Sequence, residues 1–141
     1  MALTESNPIN LGSIAPSFEL LDVVSGKTKD LASLAGTNGT VILFICNHCP
    51  FVIHINETIV QLAILYNSKG INFIAISSND VEKYPDDSPQ LMKEVATRLK
   101  YPFAYLYDDS QEVAKLYDAA CTPDCYIINK ELKFVYHGRL D

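Results

Sequence analysis

The sequence predicts an α/β domain, a sheet flanked by helices, and three observations lead to it. Residues 41–45 form an unbroken apolar run bounded by Asn38-Gly39-Thr40, which reads as a buried strand. A long apolar helical pattern follows as far as Gly70, and residues 71–77 are a second apolar, β-branched run. Strand, long helix and strand make a βαβ unit, so the two strands are expected to be parallel neighbours. Near the end, Tyr126-Ile127-Ile128 and residues 133–137 flank the turn Asn129-Lys130-Glu131 and read as a hairpin.

The remaining elements follow in order. Residues 1–11 are polar and read as a loose end of one domain spanning residues 1–141. Phe18 and Leu20 alternate as in a strand, and residues 23–27 read as a short strand and turn, so a small hairpin is expected. Asp30 caps a short helix that Gly36 ends. The long helix runs from about Cys49 to Lys69, with Pro50 in its first turn, where the missing N–H costs little. Its polar residues His54, Glu57 and Gln61 form one narrow stripe, which predicts cover on more than the sheet-facing side. Ser88 caps a helix with Pro89 at its first position and an apolar face from Leu91 to Leu99. Residues 103–107 read as a third strand, and Asp109 with Glu112 as a capping box that opens a helix to about Tyr117.

Composition removes several functional classes. The chain has 141 residues, 48% of them apolar, which suits a folded domain. Eleven basic residues stand against 17 acidic ones, a net charge of −6 without a basic cluster, which argues against nucleic acid and anionic membranes. No apolar window approaches the ~20 residues of a membrane span, and residues 1–17 show no secretory pattern, so a cytoplasmic protein is expected.

The chemistry concentrates in Cys46-Asn47-His48-Cys49, where the first strand gives way to the long helix. Unpaired N–H groups and the positive end of a helix dipole favour a thiolate there. His48 adds a group that can carry positive charge two residues from Cys46. Both effects move a thiol toward the range of roughly 3.5–7.5 found for C-x-x-C nucleophiles. Cys46 is thus expected to be the nucleophile and Cys49 the resolving thiol. Half a zinc site is the competing reading, with Cys121 and Cys125 as further ligands. A C-x-x-C beside a βαβ unit favours redox chemistry, with no metal and no cofactor. His54 and His137 carry no such signal and read as solvated or uninformative. Cys125, at a strand start, reads as core filler.

A βαβ unit with C-x-x-C at its junction, then Thr122-Pro123 leading into a hairpin, resembles the thioredoxin fold. The opening Gly12-x-x-Ala15-Pro16-x-Phe18-x-Leu20 and the inserted helix and strand over 88–107 are similar to its redoxin (AhpC/TSA) branch. Phe44-x-Cys46-Asn47-His48-Cys49-Pro50-Phe51 looks like a bacterial redoxin group. The resemblance covers roughly residues 12–139. It implies a central mixed sheet flanked by helices, with an N-terminal hairpin and the helix–strand insertion. It also implies a final helix after the last strand, and the chain ends at Asp141 without one. Pro123 would be cis and its loop would lie against the C-x-x-C. That leaves Cys121 as either core filler or a third redox thiol. Two departures stand out: Ile45 replaces the usual Trp before the first cysteine, and Thr40 stands where a buried carboxylate is common.

The leading expectation is a thiol–disulfide oxidoreductase. Cys46, Cys49 and His48 would be its reactive residues, and Asn47, Thr122 and Pro123 would contact a protein or small-molecule disulfide. A reductant such as thioredoxin or glutathione would recycle it. The alternative is a peroxiredoxin-like thiol peroxidase, an antioxidant activity. The hydroxyl that family carries three residues before its cysteine is missing, since Leu43 precedes Cys46 there. The third class is a non-enzymatic protein whose cysteines hold zinc or sit idle.

Overall fold

In a computed structural model, the described residues are 11–45, 50–78, 88–117 and 124–138; side chains of residues 50–56 are not among them. Residues 1–10, expected to be a loose end, lie outside this set.

The described strands are β1 (Glu19–Asp22), β2 (Lys27–Asp30), β3 (Gly39–Phe44), β4 (Ile71–Ser77), β5 (Ala104–Tyr107), β6 (Asp124–Asn129) and β7 (Phe134–Gly138). They form one sheet in the order β2-β1-β5-β4-β3-β6-β7. The helices are α1 (Leu31–Leu34), α2 (Pro50–Asn67), α3 (Pro89–Leu99) and α4 (Glu112–Tyr117). Strands β3, β4 and β5 run parallel, as the βαβ pattern requires, while β1, β6 and β7 pair antiparallel with their neighbours. This is the expected mixed α/β sheet with its N-terminal hairpin and helix–strand insertion.

Every residue of β3 is buried, because helices cover both sides of the central strands. Side-chain alternation divides the core in two. Val41, Leu43, Phe73, Ala75 and Cys125 pack with Ile59 and Ala63 of α2 and Met92 and Ala96 of α3. Ile42, Phe44, Ile74, Ile76, Tyr126 and Phe134 pack with Leu31 of α1 and Val113 and Tyr117 of α4. The second cluster is aromatic: Tyr117 meets Phe18, Phe44, Tyr126 and Phe134 with ring centroids 5.3–6.1 Å apart.

Local chemistry sets the element ends. Asp30 and Ser88 cap α1 and α3 as expected, accepting from the N–H groups of Ser33 and Leu91. Hydrogen bonding from Ser33, its side chain first and its backbone N–H second, lowers the Asp30 carboxyl below its usual range. Gly70, at φ 80°, ends the turn after α2. Gly36 is needed for close approach instead, since a Cβ there would lie 2.4 Å from the carbonyl oxygens of Gly39 and Gly70.

Three local expectations need correction. Residues 23–26 are a turn, not strand, and the second strand begins at Lys27. The carboxylate of Asp22 holds that turn, accepting from Val24 N at 3.1 Å and Ser25 Oγ at 2.9 Å. At α4 the capping residue is Asp108, not Asp109: Asp108 accepts from the N–H groups of Val113 and Ala114. The exposed Asp109 accepts from the Tyr107 hydroxyl instead. Finally, the last turns of α2 are open to solvent, with Ile64 58% and Leu65 51% exposed. Among the described elements, α2 packs on β4 and α3.

Candidate functional site

Two segments carry the sequence-derived candidates, residues 46–49 and residues 121–123. Cys46, Asn47, His48, Cys49, Cys121, Thr122 and Pro123 all lie outside the described residues. The frame they join is described. Strand β3 leads to Cys46, and α2, 18 residues long, begins immediately after Cys49. Pro123 directly precedes β6. In the antiparallel β3–β6 ladder Phe44 faces Asp124. The chain therefore leaves β3 toward the C-x-x-C at the same end of the sheet where it enters β6 from Thr122-Pro123. These are neighbouring strands, so the frame joins the two candidate segments to one end of the sheet.

At that end sits a pair that the sequence reading missed. The carboxylate of Asp124 and the imidazole of His137 are 2.9 Å apart (Oδ1 to Nε2), with side chains 0% and 3% exposed. The imidazole lies flat on the Tyr126 ring, centroids 4.1 Å apart and planes 8° from parallel. The Tyr126 hydroxyl donates to the Tyr117 carbonyl at 2.7 Å and stands 3.4 Å from Asp124 Oδ2. Aspartate, histidine and two tyrosines thus form one buried cluster linking β6, β7 and α4.

His137 reaches this cluster because β7 is out of phase. Tyr126 faces His137 and Ile127 faces Tyr136, but Ile128 faces Phe134, so the register skips Val135. Such a bulge adds one unpaired residue and shifts the alternation of side chains. Phe134 and His137, three residues apart, therefore both turn inward, while Val135 and Tyr136 between them are exposed. Strict alternation from Phe134 would have sent His137 to solvent.

Cys125, next in the chain to Asp124, points to the opposite face among the α2–α3 residues and is 2% exposed. Burial first, and the Asp124 carboxylate second, push its thiol up to about 12. At neutral pH it is a protonated core residue with little thiolate to react, as its place at a strand start suggested.

Two other buried polar groups lie at this end. Asp108 also accepts from Ser78 Oγ at 2.7 Å, so cap and loop account for its burial. The Ser77 hydroxyl is buried without a hydrogen-bond partner among the described residues. Among the described residues no group of three or more His, Cys, Asp or Glu side chains is placed to hold a metal, and no helix is long and apolar enough to cross a membrane.

Comparisons with known proteins agree with this frame. An uncharacterised conserved protein from Geobacillus kaustophilus is 56% identical with a TM-score of 0.95, over 98% of this chain and 73% of its own. A hypothetical protein from Sinorhizobium meliloti is 39% identical with a TM-score of 0.93, over 98% and 75%. The thioredoxin domain of a thiol-disulfide oxidoreductase from Bacteroides vulgatus shares the fold, with a TM-score of 0.76 at 17% identity over 92% and 89%. No curated protein matches the chain. The model of the AhpC/TSA family matches residues 11–137. With a thioredoxin-like sheet and that match over nearly its whole length, the chain belongs to the AhpC/TSA family.

Proposed function

We propose that the protein is a thiol–disulfide oxidoreductase that works through a Cys46/Cys49 couple. The observation that carries this reading is where the C-x-x-C falls. It stands between a fully buried strand and the first residue of an 18-residue helix, in a chain of a redox family. A helix start favours a thiolate, and the thiolate is the species that attacks disulfides. In this reading Cys46 attacks a protein or small-molecule disulfide and Cys49 resolves the mixed disulfide. Asn47 and His48 tune the pair, and Thr122-Pro123 offers backbone pairing to the bound substrate. Cys121 serves as either core filler or a third redox thiol. The reading sets the protein in the cytoplasm, with thioredoxin or glutathione restoring the dithiol.

Counting thiols in the native protein tests it. Reduced and oxidised samples should differ by two alkylatable cysteines, mapped to 46 and 49, and Cys49→Ser should trap a mixed disulfide through Cys46. An unchanged count would sink the proposal.

A second reading, thiol peroxidase, has the family match in its favour. Against it, the residue three before Cys46 is Leu43, an apolar core side chain. Parallel assays of insulin disulfide reduction and hydrogen peroxide consumption separate the two. Fast, saturating peroxide turnover with thioredoxin as reductant would reverse the ranking.

A further inference from the structure

We propose that the Asp124–His137 pair is the proton-holding group of the thiol site, taking up the proton of Cys49 as the disulfide closes. The inference rests on the dithiol reading above.

Burying an ionisable pair is expensive, and stability alone is weak reason to keep one. The other fully buried carboxylates among the described residues have structural work. Asp22 holds a turn and Asp108 caps a helix, both accepting backbone N–H groups. Asp124 is held against His137 and stands beside the Tyr126 hydroxyl, side chains that themselves carry protons. The pair also stands at the end of the sheet where the chain leaves β3 toward Cys46 and Cys49. Asp124 is bonded in the chain to Pro123 and faces Phe44, two residues before Cys46. The ionisable groups described around it are the Tyr126 phenol from β6 and the Tyr117 phenol from α4; Cys125 lies on the other side of β6. No carboxylate stands on β3 itself, where the buried polar residue is Thr40.

The chemistry needs such a group. The Cys46 thiolate attacks a substrate disulfide R–S–S–R′, and R′–S⁻ leaves with the electron pair of the broken bond. Cys49 is then still a thiol, and a thiol is a poor nucleophile. Its proton passes to the Asp124–His137 pair, directly or through water, and the pair then holds one proton more than before. The Cys49 sulfur attacks the Cys46 sulfur, the bond to R breaks, and R–S⁻ leaves. The dithiol has lost two electrons, the substrate disulfide has gained them, and the held proton goes to the departing thiolate or to solvent.

A chromogenic aromatic disulfide added to the reduced full-length protein separates the two steps. The first release of coloured thiolate reports attack by Cys46, and the second reports closure by Cys49. In Asp124→Asn and His137→Gln, which keep shape and hydrogen bonding, the second release should slow by about tenfold or more. Its rise with pH should flatten, while the first release stays near wild type. A second release unchanged in both variants, or both releases slowed alike, overturns the inference. If one variant fails to fold, the other decides. If neither folds, the wild type decides: the second release must slow more in heavy water than the first, and equal effects overturn the proposal. A wild-type product that still carries two aromatic groups, without a 46–49 disulfide, sinks the dithiol reading and this inference with it.

Discussion

The Tyr117 hydroxyl donates to the Pro16 carbonyl at 2.6 Å, across 101 residues of sequence. The same ring packs on Phe18 and Phe44. The Ala15-Pro16-x-Phe18 motif is therefore the N-terminal segment's anchor on α4 and the aromatic core. Burial pushes the Tyr117 phenol far above its usual range, so it remains a donor at any physiological pH.

Tyr117→Phe keeps the ring contacts and loses that bond. The expected cost is about 1 kcal/mol, read as a lower urea midpoint at unchanged slope. Tyr117→Ala empties the centre of the aromatic cluster and should cost about 3–5 kcal/mol.

The cap of α4 separates two adjacent acids. Asp108→Ala removes the acceptor of two helix N–H groups and should cost about 1–2 kcal/mol. Asp109→Ala alters an exposed residue and should stay within about 0.5 kcal/mol. Equal losses in the two melts would restore Asp109 as the cap.

Alkaline pH should weaken the fold over a defined window. Burial pushes both Cys125 and Tyr101 up to about 12, against roughly 8.5 and 10 in an unfolded chain. Between those values the folded state holds protons that the unfolded state has lost. Stability from these groups is therefore full below about pH 8.5 and declines as pH rises through about 12. Cys125→Ala should reduce the slope of stability against pH at the lower end of this window. In native protein at pH 8, Cys125 should resist alkylation and become reactive in urea.

His48 should set the redox poise. An imidazolium beside the Cys46 thiolate favours the reduced form, and a stabilised reduced form is a stronger oxidant. The potential is expected above the roughly −270 mV of thioredoxin. His48→Pro should make the couple more reducing in a glutathione equilibrium followed by thiol trapping. An unmoved potential would leave His48 without a role in tuning.

Much of the frame was legible because local and global signals agree. β4 was expected at the residues it occupies, and Ser88 with Pro89 marks the start of α3 as a cap and first-turn proline should. What was not legible depends on contacts between distant residues. Asp109 was read as the cap of α4, and which of the two adjacent acids turns inward is decided by β5 and Ser78. The long helix was read as covered on more than its sheet-facing side, yet Ile64 and Leu65 are exposed, because a helix pattern reports apolarity and not what lies opposite. The Asp124–His137 pair was invisible for a sharper reason. The two residues are 13 apart and meet only through the hairpin, and the rule that assigns strand faces fails at Val135.

That skipped residue makes the inner position of His137 a matter of register. Val135 projects into solvent, so its identity should matter little, and Val135→Thr should be near neutral. Deleting it should also keep His137 inside, because Tyr136 and His137 would still face Ile127 and Tyr126, now in an unbroken ladder. The buried acid–base pair thus depends on Val135 staying out of the ladder. A lineage could change or drop that residue and keep the pair, yet lose it by pairing Val135 regularly, which would turn Tyr136 inward and His137 out.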